Sequence, residues 1–149
     1  MDAWNYSVRR ARAEDYDFLF GLATSTMRPH VTAIWGWDPG WQEEHFRSGF
    51  ATTDWQVILV AGERAGGFAV DDREDHIFIS NIYLEPAYQN HGIGTSIVNG
   101  IIESARTAKK PVKLNVLKPN QDALRLYLRL GFHITTEEPE RYYLTTDAP

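Results

Sequence analysis

The chain has 149 residues, enough for one domain with a core of its own. Fifteen basic residues against twenty acidic ones give a net charge of −5, which disfavours a nonspecific nucleic-acid binder, since such proteins carry a basic excess. There is no cysteine, so disulfides, thiolate metal sites and cysteine nucleophiles are excluded and a reducing cytoplasm is permitted.

The opening residues, Met1-Asp2-Ala3-Trp4-Asn5, show no basic segment followed by an apolar one, so no signal peptide is expected. No apolar run approaches the roughly 20 residues of a membrane helix. A soluble cytoplasmic protein with no nucleic-acid or membrane partner is expected, as monomer or homodimer. Tyr6-Ser7-Val8-Arg9-Arg10-Ala11 alternates and suits a first strand. Glu14 and Asp15 stand where carboxylates favour a helix N-terminus, and Phe18, Leu19 and Leu22 give that helix an apolar face. It is expected to fade near Met27, because Pro29 disfavours helical geometry in the residue before it.

The segment from Met27 to Trp41 is the most unusual, with Trp35, Trp37 and Trp41 interleaved with Gly36, Asp38, Pro39 and Gly40. It cannot be a regular strand. It reads either as a small aromatic core beneath a loop or as a substrate pocket wall, because tryptophan offers a rigid apolar surface and attracts cations over its face. Gln42 to Phe50 reads as a second helix. Trp55 to Ala61 is a strand, Glu63-Arg64 the expected hairpin tip, and Ala65 to Val70 the return strand. Asp71 to Asp75 reads as a solvated acidic turn.

Ile77-Phe78-Ile79-Ser80-Asn81-Ile82-Tyr83-Leu84 is the next strand, and Ile93 to Ala108 reads as a helix with Ile93, Ile97, Val98, Ile101, Ile102 and Ala105 on one stripe. Between them lies Gln89-Asn90-His91-Gly92-Ile93-Gly94-Thr95. The first N–H groups of a helix lack intrahelical partners, the helix dipole adds positive charge there, and glycine lets an anion approach the bare backbone. The turn therefore reads as an anion cradle or as a plain strand-to-helix connection. A triphosphate loop is excluded because no lysine follows Gly94, and a dinucleotide fingerprint because Ile97 occupies the place of its third glycine. Pro111 introduces the strand Val112 to Leu117. Asn120-x-x-Ala123-x-x-Leu126-Tyr127 then follows on a helical pattern to Leu130-Gly131-Phe132. Phe132 to Thr136 and Tyr142 to Thr145 form a closing pair of strands.

Two blocks, Gln89-x-x-Gly92-x-Gly94 and Asn120-x-x-Ala123-x-x-Leu126-Tyr127-x-x-x-Gly131-Phe132, resemble the signatures of the GNAT acetyltransferase superfamily in order and spacing. Leu84-Glu85-Pro86-x-Tyr88-Gln89 matches the lead-in to its loop. The Gly-Trp-Asp run at 36–38 is similar to a bacterial branch with undefined substrates. The resemblance implies an α/β (α+β) fold: one domain over residues 1–149, with a mixed, mostly antiparallel sheet splayed at two parallel strands and about four flanking helices.

The resemblance also implies a reaction, acyl transfer from acetyl-CoA as co-substrate to a primary amine of a small molecule or peptide, without a metal. The N–H groups of His91, Gly92, Ile93, Gly94 and Thr95 would hold the pyrophosphate, with Gln89 and Asn90 also in the cofactor-binding loop. Backbone groups of Ile82, Tyr83 and Leu84 would pair with the pantetheine arm, and Asn120 would cap its helix and approach that arm. Tyr127 would protonate the leaving thiolate, a neutral phenol being a donor at pH 7, although a tyrosine packed in the core is the plainer alternative. Trp35, Trp37 and Asp38 would face the acceptor. Asn115 stands where some family members place a glutamate base. The base is thus unassigned among Asp38, Glu43, Glu44, His30 and a water held by Ser80, Asn81 or Asn115. His30, His45, His76, His91 and His133 include no His-x-x-x-His pair, so no zinc site is expected. Ser96 lacks the second glycine of a nucleophile elbow. A noncatalytic acyl-CoA-binding module on the same fold is the alternative.

Overall fold

A computed structural model describes residues 3–147. The strands are β1 (Ser7–Arg10), β2 (Asp54–Val60), β3 (Glu63–Asp72), β4 (Ile77–Leu84), β5 (Val112–Leu117), β6 (His133–Glu137) and β7 (Arg141–Thr145). The helices are α1 (Tyr16–Trp35), α2 (Pro39–Thr52), α3 (Ile93–Thr107) and α4 (Gln121–Arg129). The strands make one sheet in the order β1-β2-β3-β4-β5-β7-β6, antiparallel throughout except for the parallel pair β4 and β5. This is the mixed, splayed architecture expected from the sequence. No helix among the described residues is long and apolar enough to cross a membrane.

The pleat of β5 decides which residues are core and which face the cleft. Val112, Leu114 and Val116 are buried with Ile79, Val98, Leu124, Phe132 and Leu144 beneath α3 and α4. On the opposite face, Leu19, Trp55, Val57 and Ala69 pack with Phe46 and Phe50 beneath α1 and α2. Each such fully buried Leu, Ile or Val contributes about 1.5–3 kcal/mol. β4 and β5 pair only at Ile77 with Val112 and Phe78 with Lys113, and beyond that point they separate. On its other side β4 slips register against β3 between Ala69 and Val70, which leaves Ser80 as a bulge. The separation opens a cleft between the strands, and both helical layers reach it.

Four local expectations change. α1 does not fade at Met27 but runs through Pro29 to Trp35. The proline removes one N–H and crowds the carbonyl four residues back, at about 3 kcal/mol. Beyond it Val31 and Trp35 line the cleft, and the Arg141 guanidinium lies over the Trp35 ring at 5.7 Å. α2 begins at Pro39 rather than Gln42, because Asp38 caps it, accepting from Trp41 N–H at 3.1 Å, and proline suits a first helical position. The hairpin tip is Ala61-Gly62 rather than Glu63-Arg64. Both tip residues have positive φ, 52° and 81°, as a two-residue turn between twisted strands requires. Asp71 and Asp72 extend β3, so the exposed turn is shorter than the acidic run.

Asp15 does more than favour a helix start. It is fully buried, and its carboxylate accepts from Arg9 at 2.7 and 3.0 Å and from the Arg12 backbone N–H at 2.7 Å, with Arg64 at 3.1 Å. The Arg9 hydrogen bonds are the main cause that pulls its pKa down to about 2, against the opposing effect of burial. The knot fastens the start of α1 to β1 and β3.

Candidate active site

The cleft between β4 and β5 has a volume of about 1080 Å³. It passes from Asn120 and Tyr127 on α4, between Asn81 to Tyr83 and Leu114 to Leu117, to an aromatic wall on α1 and α2. A typical small-molecule pocket holds about 300–1,000 Å³, so there is room for an extended thioester arm and an acceptor together.

At the loop beyond β4, Asn90 and Gly92 take positive φ, 64° and 81°, and Gly92 caps α3 in a left-handed conformation that glycine adopts without strain. The backbone N–H groups of Asn90 to Thr95 find no backbone acceptor among the described residues, while Ser96 N–H returns to Gly92 O at 3.0 Å. A Cβ at Gly94 would meet nothing closer than Leu84 Cδ1 at 3.8 Å, so the turn is open there. Gly92 is different, because a Cβ there would come within 3.0 Å of the Ala3 backbone. The N-terminal segment lies along this turn. Trp4 stacks on His91 with ring centres 3.3 Å apart, and its backbone N–H donates to His91 O at 3.0 Å. The His91 ring is thus occupied by an indole. The Gln89 side-chain amide donates to Leu84 O at 2.9 Å, which ties the loop to the end of β4 and takes one of the backbone groups expected for a thioester arm.

In the middle of the cleft, the Tyr127 ring is buried edge-on against Phe132 at 5.5 Å. Asn120 caps α4, accepting from Ala123 N–H at 3.3 Å, and lines the cleft. The side chain of Tyr83, not only its backbone, also lines the cleft. Its hydroxyl donates to Asn81 Oδ1 at 2.8 Å, Asn81 Nδ2 donates to Ser80 Oγ at 3.1 Å, and Ser80 Oγ donates to Ala69 O at 3.2 Å.

A family model, the acetyltransferase (GNAT) family, matches residues 16–132. The chain belongs to the acetyltransferase (GNAT) family. It is 27% identical over 150 residues to an uncharacterized N-acetyltransferase of Methanocaldococcus jannaschii, a match that covers 89% of this chain and 64% of that one. The chain therefore spans less than two thirds of that relative. It is 29% identical over 109 residues to a ribosomal protein bS18-alanine N-acetyltransferase of Escherichia coli, covering 72% and 73%. The structure of the PaiA N-acetyltransferase of Thermoplasma acidophilum in complex with coenzyme A superposes with a TM-score of 0.77 at 13% identity, over 96% of this chain and 99% of that one.

Within this GNAT domain, burial raises the pKa of Tyr127 to about 12. Burial, and to a lesser extent the nearby Tyr127, push Tyr83 well above the usual phenol range. Both phenols are fully protonated at neutral pH. Trp35, Trp37 and Trp41 do not form a core of their own. Phe46, Phe50, Tyr16, Phe20 and Trp55 do that, with ring centres 5.3 to 6.2 Å apart. Trp35 and Trp41 are more than half exposed, at 56% and 58%, and with Trp37 they wall the cleft. Arg28 lies over Trp37 at 5.6 Å, and Trp41 stacks on His45 at 4.8 Å.

The candidate bases are dispersed. Glu43 and Glu44 both pair with Arg47 on the outer face of α2, at 2.6 and 3.4 Å, and neither they nor His30 line the cleft. Asp38 lines it, but as the exposed cap of α2. Ser80, Asn81 and Asn115 line it as neutral groups. Among the described residues no cluster of three or more His, Cys, Asp or Glu is placed to hold a metal. Sequence reading missed Arg141, which opens β7 and reaches the cleft beside Trp35. Its only local signal was a cation heading an aromatic pair, Tyr142-Tyr143.

Proposed function

We propose that this protein is an acetyl-CoA-dependent N-acetyltransferase that acts on a primary amine of a small molecule or peptide by direct attack. The observation that carries this reading is the line of features along one cleft: free loop N–H groups, a buried protonated phenol, and an aromatic wall. The N–H groups of residues 91 to 95 bind the pyrophosphate of the donor at the positive end of α3. The unpaired edge of β4 at Ile82 and Tyr83 offers backbone groups to the pantetheine arm, and Asn120 borders that arm. A backbone N–H there faces the thioester oxygen as negative charge develops on it.

The amine nitrogen attacks the thioester carbon, the C–S bond breaks, and the sulfur leaves with the electron pair. Tyr127 is the general acid at that sulfur. The proton lost by the amine passes to water among Ser80, Asn81 and Asn115, because no carboxylate lines that part of the cleft. Trp35, Trp37 and Asp38 face the acceptor, with the Gly-Trp-Asp run as the short connection between α1 and α2.

The missing carboxylate also favours a second reading, a noncatalytic acyl-CoA-binding module. Thiol release from acetyl-CoA over a panel of primary amines separates the two. Amine-dependent release identifies the enzyme. Thermal stabilisation by acetyl-CoA without release from any amine identifies the binder.

A further inference from the structure

We propose that the acceptor bears a carboxylate beside its amine, as an amino acid with an apolar side chain does, and that Arg141 binds this carboxylate against the face of Trp35. The proposal rests on the acetyltransferase reading for its amine, but on Arg141 alone for its carboxylate. Among the described residues Arg141 is the one lysine or arginine lining the cleft, and Asp38 is the one acid. Leu144 and Tyr142 of β7 pack into the core beneath α3 and α4, so the pleat sends Arg141 to the opposite face, towards α1. Its guanidinium carbon stands 5.7 Å from the centre of the Trp35 ring.

Trp35 presents a broad apolar face that fixes the plane of the guanidinium and limits its hydration. Three acids share the hairpin of Arg141, and none accepts from its terminal nitrogens; Glu137 pairs instead with Lys118. Glu140 lies 3.9 Å from its Nε, the outer limit of an ion pair, and Glu138 is engaged by the Tyr143 hydroxyl. The side chain is 31% exposed and reaches the cleft with its terminal N–H groups uncommitted to any side chain among the described residues. A planar fork of donors on a rigid ring, in a cleft whose one other charged lining residue among those described is Asp38, matches a carboxylate bidentately. It does not match a second ammonium group. The tryptophans around it leave apolar surface for the rest of the acceptor.

The experiment compares phenylalanine, methionine and leucine, each as the free acid and as its amide, by thiol release from acetyl-CoA. Chemistry alone favours the amide, whose amine resembles a peptide N-terminus with a pKa of about 7.7–8.0 and is less protonated. The wild-type protein is nevertheless expected to prefer the acid in kcat/KM. Arg141→Gln should reduce that preference about 10- to 100-fold through the KM of the acid, the usual scale for losing hydrogen bonds to a charged group. Arg141→Lys, which keeps the charge without the fork, should fall between. A merely structural latch between β7 and α1 would instead raise the KM of acetyl-CoA and lower the Tm, with the acid-to-amide ratio intact.

A second arm needs no turnover: calorimetric binding of N-acetylphenylalanine and its amide to the protein saturated with coenzyme A. Selective binding of the acid that is lost in Arg141→Gln upholds the carboxylate site even where no amine is acetylated, in which case the enzyme reading alone falls. Acid and amide treated alike in both arms, or neither bound, overturns the proposal.

Discussion

Replacing Tyr127 by phenylalanine keeps the ring against Phe132 and deletes one hydroxyl, and the size of the effect follows from burial. Tyr127 titrates near 12, whereas a free thiol titrates near about 8.5. Complete transfer of the phenol proton to a released thiolate therefore runs uphill by about 3.5 pH units, or about 5 kcal/mol at 1.36 kcal/mol per unit. At the transition state the phenol is worth what a hydrogen bond to a developing charge is worth, about 1.5–3 kcal/mol. Turnover in Tyr127→Phe should fall about 10- to 150-fold, well short of the largest effects of general acids. The assay is thiol release at saturating substrates, with single-turnover rates to show that chemistry limits. Acetyl-CoA should still raise the Tm of the variant, and stability should change by under about 1 kcal/mol, because the hydroxyl opens on the cleft and leaves no buried partner behind. Unchanged turnover would return Tyr127 to a packing role. A basic limb between pH 8 and 10 that vanishes in the variant would show the phenol titrating there and refute the burial reasoning.

Three further outcomes are expected. Gly94→Asp places bulk and charge where the turn is open, and should abolish the thermal shift given by acetyl-CoA, about 2.7 kcal/mol at a hundredfold excess over Kd; an undiminished shift would remove the loop from the binding site. Trp35→Ala and Trp37→Ala should raise the KM of the acceptor more than that of acetyl-CoA, and a shift in donor KM instead would place the aromatic wall wrongly. Asp15→Asn should destabilise by about 3–5 kcal/mol, since it strips a buried partner from Arg9 and Arg64. The folded-state pKa of Asp15 lies below its ordinary value of 3.8. Its contribution, about 2 kcal/mol, is therefore complete above pH 4 and lost as pH falls towards 2. Urea midpoints should drop over that window in the wild type and more shallowly in the variant.

The parts of the site legible in the sequence are those that local backbone chemistry dictates. Gly92 can be read because a left-handed helix cap calls for glycine, Asn120 because a helix start calls for a side-chain acceptor, and β5 because its buried and exposed residues alternate. The parts that were not legible depend on distant contacts. α1 runs past Pro29 to Trp35, which lies beside Arg141 of a distant strand, against proline's local preference. Arg141 acquires its place because β7, rather than β6, lies beside β5, an order that adjacency in the chain does not reveal. Asp15 looked like a helix-start carboxylate, and its burial depends on Arg9 and Arg64 arriving from two other strands. The Tyr83 side chain was hidden behind its backbone role, because nothing local says that the bulge at Ser80 turns its hydroxyl towards Asn81.

That last network bears on how an amine is received in the part of the cleft between β4 and β5, where no carboxylate lines the wall. Tyr83 donates to Asn81, Asn81 to Ser80, and Ser80 to the Ala69 carbonyl, so the Tyr83 proton is committed and the relay ends on backbone. The Tyr83 oxygen keeps its lone pairs. A hydroxyl whose proton is already committed can only accept, and an incoming amine can only donate once its own lone pair is aimed at the thioester carbon. The two needs match. In the proposed reaction Tyr83 would orient the nucleophile without taking its proton and Tyr127 would meet the sulfur from α4, so that two phenols divide attack from departure. Their raised pKa values fit that division, because burial keeps each phenol protonated at neutral pH, Tyr83 to hold its hydrogen bond and Tyr127 to donate to the leaving sulfur.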